Sequence, residues 1–232
     1  MTDQMTTEQT TYGPIATYLR FENEHVRVWE MDLANGQMCG LHRHTLDYVL
    51  YILEGGRIAV ESPAMTSNRF PGQTTYELEV GARAISYVPA GGAESARNVS
   101  AGRFREALFE IRRPLPPGLA NPGFALTEAA VGRPPERGET MLLENSRIRA
   151  LEVTLAPGDR AGLRAHPRDT AVFVIEGGRV REREMRCGTE RLEEVERASS
   201  TVLWQPAQPN GCERELINTG SRLYRELRLE FR

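Results

Sequence analysis

Residues 22–56 of the chain have the sequence ENEHVRVWEMDLANGQMCGLHRHTLDYVLYILEGG, and residues 144–178 repeat them without a gap as ENSRIRALEVTLAPGDRAGLRAHPRDTAVFVIEGG. The ends of the two copies also correspond, since FREALFEIR (104–112) is followed later by the similar YRELRLEFR (224–232). Repetition over such lengths indicates one structural unit that is used twice. The sequence therefore predicts two similar domains.

A segment rich in proline and glycine separates the two copies. It covers residues 113–140 and contains PLPPG and RPPERG. Because proline and glycine do not continue a helix or a central strand, this segment is predicted to be an interdomain linker. The predicted domains are then residues 1–112, which include an N-terminal arm, and residues 141–232.

Both halves consist of short runs in which apolar and polar residues alternate. Examples are VRVWEMDL (26–33), YVLYIL (48–53) and IRALEVTL (148–155), which are bounded by Gly, Pro or Asn. Many short strands at this spacing predict an all-β protein built as a barrel or sandwich. Only residues 126–131 and 190–197 have a helix-like pattern.

The composition excludes several classes of function. The formal charge is −3, so no basic surface for nucleic acid is expected. All 29 basic residues are arginine, which excludes catalysis through a lysine Schiff base. The three cysteines form no CxxC pair, and the first 20 residues contain no apolar signal segment. No apolar run is long enough to span a membrane, and we expect a cytoplasmic protein.

The segment GQMCGLHRH (36–44) ends in two histidines that are two positions apart. On a strand, the side chains of His42 and His44 project from the same face and can share a divalent cation. Further along, PAGGAESARN (89–98) places Glu94 after a Pro/Gly turn. A third metal ligand could come from this second segment.

These two segments resemble the conserved motifs of the cupin superfamily. The first cupin motif is G, five residues, HxH, three or four residues, E, six residues, G; the second is G, about five residues, PxG, two residues, H, three residues, N. The matching residues are Gly36, His42, His44 and Gly55 in the first motif and Pro89, Gly91 and Asn98 in the second. The resemblance extends over both halves and implies a bicupin with two conserved cupin_2-like domains. It implies two tandem barrels, each a double-stranded β-helix or jelly roll.

The chain departs from the cupin pattern at two positions of the implied metal site. Tyr48 stands where the motif has glutamate, and Glu94 stands where the second motif has histidine. The resemblance thus implies the ligand set His42, His44 and Glu94, with Tyr48 as a weak ligand or as a hydrogen-bond donor and general acid. Two histidines and one carboxylate match the facial triad of non-haem iron oxygenases, which favours Fe(II) over Mn, Ni or Zn. Tyr48 and Glu94 are the catalytic candidates.

In the second copy, the corresponding positions are Arg164, His166, Thr170 and Arg214. Arginine repels a cation and cannot ligate one, so no metal is expected in this barrel. Arg164, His166 and Arg214 could instead bind a carboxylate or a phosphate. The alternative is a vestigial barrel that is kept for packing and dimerisation.

The resemblance favours a metal-dependent enzyme that acts on a small polar, carboxylated molecule. Dioxygenase chemistry is the first expectation, and lyase or isomerase chemistry the next. The alternative is a non-catalytic small-molecule-binding or accessory cupin, in which the histidine pair is only a polar barrel mouth. Because cupin barrels commonly pair through open edges, we also expect a homodimer.

Overall fold

The computed structural model describes residues 11–63, 72–115, 117–127, 138–186, 188–208 and 211–232. These residues form nineteen strands and no α-helix, which confirms the all-β prediction. None of the described segments is an apolar helix that could traverse a bilayer.

In the first half, the described residues form two sheets that pack into a jelly-roll barrel. The strands are β1 (Tyr18–Glu22), β2 (Val26–Leu33), β3 (Met38–Arg43), β4 (Tyr48–Glu54), β5 (Gly56–Glu61), β6 (Thr75–Val80), β7 (Ile85–Val88), β8 (Ala93–Asn98), β9 (Phe104–Ile111) and β10 (Ala125–Thr127). The larger sheet has the order β1-β2-β9-β4-β7-β10, and the smaller has the order β3-β8-β5-β6.

The second half repeats this arrangement and forms a second barrel. Its strands are β11 (Gly138–Glu144), β12 (Ile148–Leu155), β13 (Arg160–Ala165), β14 (Thr170–Glu176), β15 (Gly178–Arg186), β16 (Thr189–Arg197), β17 (Val202–Gln205), β18 (Cys212–Asn218) and β19 (Tyr224–Phe231). The two sheets have the orders β11-β12-β19-β14-β17 and β13-β18-β15-β16. Strand order and register therefore follow the sequence repeat, as two tandem barrels require.

Asn98 and Asn218, which occupy equivalent positions of the repeat, make the same hydrogen bonds in the two barrels. The side-chain amide of Asn98 donates to the carbonyls of Leu33 and Gly102, which ties β8 to the end of β2. Asn218 donates in the same way to the carbonyls of Leu155 and Arg222. Both asparagines are fully buried, so each satisfies backbone groups that water does not reach.

Apolar side chains fill each barrel and also join the two barrels. Met31, Ile58 and Phe104 belong to the cluster inside the first barrel, whereas Val180 and Leu216 belong to the one inside the second. The largest cluster combines residues of both halves, namely Val28, Tyr51, Ile85, Phe109, Ile148, Phe173, Leu227 and Phe231. The barrels thus share one continuous core where their larger sheets meet.

Two expectations about local structure are corrected by the structure. Residues 190–197, which have a helix-like pattern, belong to strand β16. Residues 126 and 127 lie in β10, which pairs with β7, so the start of the second helix-like segment is also a strand. The rest of that segment falls outside the described residues. The linker segment 113–140 therefore contributes a strand to the first barrel, and its last residues begin β11.

Candidate metal centre

Two neighbouring strands of the smaller sheet bring the expected ligands together. His42 on β3 lies opposite Glu94 on β8 in the strand register, next to a bulge in β3. The backbone of His44 continues beside β8, because its N–H donates to Gly92 and its carbonyl accepts from Gly91. His42 and His44 are only 1% and 3% exposed, and both line the barrel interior with Glu94.

The three side chains are close enough to share one ion. Each offers one ligand atom, and these atoms lie within 4.8 Å of one another. The Nε2 atom of His44 is 3.5 Å from a carboxylate oxygen of Glu94, and the two imidazole rings meet at 86° with their centroids 4.9 Å apart. A divalent ion holds such ligands at about 2.1 Å, which separates neighbouring ligand atoms by about 3–3.5 Å. Small side-chain rotations would close this group around an ion.

His42 is held in the form that binds a metal. Its Nδ1 atom lies 2.8 Å from the carbonyl oxygen of Gly40, and because a carbonyl only accepts, Nδ1 carries the hydrogen. Nε2 is then left as the lone-pair donor that faces the cavity. Burial, together with the neighbouring His44, lowers the pKa of His42 and keeps the ring neutral. A neutral imidazole whose second nitrogen donates to a carbonyl is the usual arrangement of a ligating histidine.

His44 is the least satisfied polar side chain of the site. Both of its ring nitrogens are buried, and neither has a hydrogen-bond partner among the described residues. A buried polar group without a partner costs roughly 1–3 kcal/mol. The 3.5 Å distance from Nε2 to Glu94 is too long for a good hydrogen bond but suits two neighbouring ligands of one ion. The donor set therefore fits a bound divalent cation.

Tyr48, at the start of β4, contacts His44 through its ring. The two rings are stacked, with their centroids 4.1 Å apart and their planes 17° from parallel. Tyr48 is 3% exposed, so this contact is enclosed by the barrel wall. The aromatic face thus fixes the plane of the His44 imidazole, which is a positioning contact that the sequence does not reveal.

A small cavity extends from the three ligands into the barrel. Its walls are mostly apolar and include Leu50, Phe104 and Leu108. A second carboxylate, that of Glu106 on β9, also lines the cavity and is 7% exposed. Glu106 is not among the site residues predicted from the sequence. The repeat did contain a signal for it, since Glu226 occupies the matching position of the second copy.

Cys39 lies beside the site but is not suited to bind a metal. Its sulfur is 3.3 Å from the carbonyl oxygen of Ile15 and 3.6 Å from Nδ1 of His42. Burial, with the charges of Glu106 and Glu94, raises the pKa of the Cys39 thiol to about 11. The sulfur lies near the ring nitrogen of His42 that binds Gly40 and not the one that faces the cavity, so Cys39 packs behind this ligand.

The second barrel has a different set of side chains at the same positions. Arg164 lies opposite Arg214 in the register that pairs His42 with Glu94 in the first barrel. His166 is 6% exposed, and Thr170 is fully buried at the start of β14. Within the described ranges, the first-barrel triad is the only group of three His, Cys, Asp or Glu residues that could hold an ion.

Comparison with known proteins identifies the fold. No family model matches the chain, and no curated protein matches its sequence. Solved structures do match, among them a putative glyoxylate-induced protein from Pseudomonas aeruginosa (16% identity, 90% of this chain and 75% of that chain covered, TM-score 0.60). Oxalate decarboxylase of Bacillus subtilis, which was studied for its Mn(II) centres, gives 15% identity, 89% and 69% coverage and a TM-score of 0.61.

A third match is the protein Ylba from E. coli, at 13% identity, with 90% of this chain and 77% of that chain covered and a TM-score of 0.58. These neighbours are cupin-fold proteins. At such low identity, the similarity shows that the chain has the cupin fold.

Proposed function

We propose that the chain is a bicupin enzyme in which His42, His44 and Glu94 of the first barrel hold one divalent metal ion. The observation that carries the proposal is the state of His44, whose two ring nitrogens are buried without a hydrogen-bond partner in the described structure while Nε2 faces Glu94. His42 supports it, since its Nδ1 hydrogen bond directs the lone pair of Nε2 into the cavity. Fe(II) suits two histidines and a carboxylate best, with Mn, Ni or Zn as alternatives.

The proposed substrate is a small polar molecule that carries a carboxylate. When bound, the metal supplies Lewis-acid polarisation and, if it is iron, activation of O2. The apolar walls formed by Leu50, Phe104 and Leu108 exclude water from the reacting molecule. Glu106 offers a carboxylate in the same cavity that can accept or return a proton.

Three protein ligands leave the other coordination positions open, which favours dioxygenase chemistry. Lyase chemistry is the next candidate, and it is supported by the similarity to oxalate decarboxylase, whose name describes the decarboxylation of a small carboxylated molecule. Isomerase chemistry is the third candidate. The fold alone does not select among them.

A non-catalytic accessory protein is the second candidate function. It is favoured by Tyr48, which stacks on His44 and occupies the position of the fourth ligand in the cupin motif. In that case the first barrel would capture a small molecule, with or without an ion, and would not turn it over.

Metal content tests the proposal directly. The purified protein, as isolated and after anaerobic loading with Fe(II) or Mn(II), is analysed by elemental mass spectrometry beside His42→Ala, Glu94→Ala and His44→Ala. The wild type should contain about one ion per chain, and the three variants should lose it. His166→Ala is the matched control, because this residue occupies the position of His44 in the second barrel, and it should retain the ion.

The absence of metal from the loaded wild type would refute the metal site. Retention of the ion in His42→Ala and Glu94→Ala would also refute it. If the wild type binds the ion and the three variants lose it, the loaded wild type is then assayed for oxygen consumption and for CO2 release with small carboxylic acids. Turnover of none of them, by a fully loaded protein, would favour the accessory function.

A further inference from the structure

The second barrel has a small pocket at the place that the candidate metal centre occupies in the first. Its charge differs, because Arg164 and Arg214 replace His42 and Glu94, whereas His166 keeps the position of His44. The arginines that line the pocket are Arg164, Arg183, Arg197, Arg214 and Arg228. The lining also includes His166 and the apolar surfaces of Ala161 and Leu216.

The strand registers show that these arginines are substitutions within one duplicated cavity. Arg214 takes the position of Glu94, so the charge at that point is reversed. Arg228 takes the position of Leu108, since each lies on the last strand of its barrel at the same place in the register. Burying a guanidinium costs several kcal/mol before any partner compensates it. Arg228 is compensated by contacts with Glu139 and Glu226, so the interior of the second barrel is charged at a place where the first barrel is apolar.

Arg164 and Arg214 lie directly opposite each other on adjacent strands. Like charges in this position repel and destabilise a sheet. Burial, together with the nearby Arg228, also lowers the pKa of the Arg164 guanidinium. An anion held in the pocket by the two guanidinium groups would relieve this repulsion.

The partners of these two arginines leave donors available. Arg164 uses Nη1 for Glu139 (3.0 Å) and Nη2 for Glu230 (2.8 Å). Arg214 contacts Glu184 through Nε and Nη2, both at 3.3 Å, which is long for a charged pair. A guanidinium carries five N–H bonds. Within the described residues, these contacts therefore engage only part of the N–H groups of each guanidinium.

His166 also lines this pocket. It is 6% exposed, and its Nε2 atom is buried without a hydrogen-bond partner among the described residues. Burial and the charges of Arg214, Arg228 and Arg164 lower its pKa to about 4, so the ring is neutral near pH 7. A neutral ring with its hydrogen on Nε2 can donate to an anion in the pocket.

From this convergence, we propose that the second barrel binds a small carboxylate with a single negative charge, held by Arg214 and Arg164 and by a hydrogen bond from Nε2 of His166. The paired N–H donors of an arginine guanidinium match the two oxygens of a carboxylate. The carboxylates of Glu182, Glu184 and Glu215 also line the pocket, and their charges disfavour phosphate and other multiply charged anions. The site goes beyond the chemistry proposed for the first barrel and needs no metal.

The test uses metal-depleted full-length protein labelled with ¹⁵N at histidine. The chain has four histidines, so the ring signals are few, and His166→Gln identifies those of His166. Sodium acetate is titrated near pH 7, with sodium chloride adjusted to hold the ionic strength constant. The His166 ring nitrogens should shift and saturate in the millimolar range, while the signals of His42 and His44 stay in place.

Arg214→Gln should weaken acetate binding at least about tenfold, since it removes a charge-assisted hydrogen bond. Arg214→Lys keeps the charge but lacks the paired N–H donors of the guanidinium. Its acetate affinity should lie between those of Arg214→Gln and the wild type. Circular dichroism verifies that each variant is folded, and the wild-type titration decides the question even if a variant is not.

A non-saturable shift in the wild type would overturn the proposal, as would tighter binding of inorganic phosphate than of acetate. Equal acetate affinity in a folded Arg214→Gln would overturn it as well. His42→Ala should bind acetate like the wild type. Because the titration uses metal-depleted protein, its failure leaves the metal proposal untouched, and failure of the metal proposal leaves this one untouched.

Discussion

His44 has no hydrogen bond among the described residues to fix its ring, so its orientation depends on the stacked ring of Tyr48. The other histidine of the pair is held by the carbonyl of Gly40. The neighbours of metal ligands typically contribute 10- to 100-fold to metal affinity. At the proposed centre, the aromatic face of Tyr48 takes the role that a hydrogen-bond acceptor has for His42.

Tyr48→Phe keeps this ring and removes only the hydroxyl group. We expect it to bind the metal within about threefold of the wild type, whereas Tyr48→Ala should weaken binding by about tenfold or more, because the imidazole loses its support. Competition with a chromophoric chelator measures both affinities. If Tyr48→Phe instead loses the ion as completely as His44→Ala, the hydroxyl oxygen is itself a ligand. Loss of turnover at unchanged metal affinity would assign it a proton-transfer role.

The sequence predicts the three donors because two of them are two positions apart at the end of β3 and the third follows a Pro/Gly turn. The structure brings His42, His44 and Glu94 together, and the strand register places His42 opposite Glu94. Glu106 and the stacking of Tyr48 could not be inferred from spacing, because they depend on which faces of β9 and β4 turn inward. That choice is made by packing between strands that are distant in the sequence.

At the scale of the elements, the glycine pair that ends the repeated segment has two different roles. A Cβ atom on Gly177 would overlap the carbonyl oxygen of Arg197 and lie 2.7 Å from the backbone nitrogen of Ser199. A Cβ atom on Gly178 would meet nothing within 4 Å. The backbone of β15 therefore approaches the end of β16 too closely for any side chain at Gly177.

Gly177→Ala should lower the free energy of unfolding by about 2–3 kcal/mol, because backbone atoms must move to admit the methyl group. Gly178→Ala, the matched control one residue later, should change it by no more than about 0.5–1 kcal/mol. Urea unfolding followed by circular dichroism measures both changes. Equal effects of the two substitutions would show that the close approach to Arg197 does not constrain this turn.

Strand β16 shows why local patterns alone mislead. The segment RLEEVER (191–197) is rich in residues that favour helices, and nothing near it in the sequence indicates a strand. In the folded chain it pairs along its whole length with β15. Arg183 contacts Glu190 and Arg181 contacts Glu194 across the pair. Cross-strand pairing thus overrides helix propensity, and a single segment does not contain that information.

At the scale of the whole molecule, the barrels are joined by polar contacts as well as by the shared core. Glu152 of the second barrel accepts hydrogen bonds from Arg83 and from the hydroxyl of Tyr51, both in the first. In the opposite direction, Arg105 of the first barrel donates to the hydroxyl of Ser200. The ring of Phe109 meets that of Phe173 at 6.5 Å between centroids. Neither barrel could unfold without exposing this interface.

This coupling predicts that the two barrels unfold in one cooperative transition. The chain has one tryptophan in each barrel, Trp29 on β2 and Trp204 on β17, so Trp204→Phe and Trp29→Phe each leave a reporter of a single barrel. Within each variant, the urea midpoint from fluorescence should coincide with that from circular dichroism.

Val180→Ala provides the sharper form of this experiment, because Val180 is fully buried inside the second barrel, away from the interface. The cavity it leaves should cost about 2 kcal/mol. If the molecule is one cooperative unit, Trp29 in the first barrel must report this loss in full, although no atom near it has changed. A midpoint at Trp29 that does not move would mean that the first barrel folds on its own. The shared core would then be a contact between two independent domains.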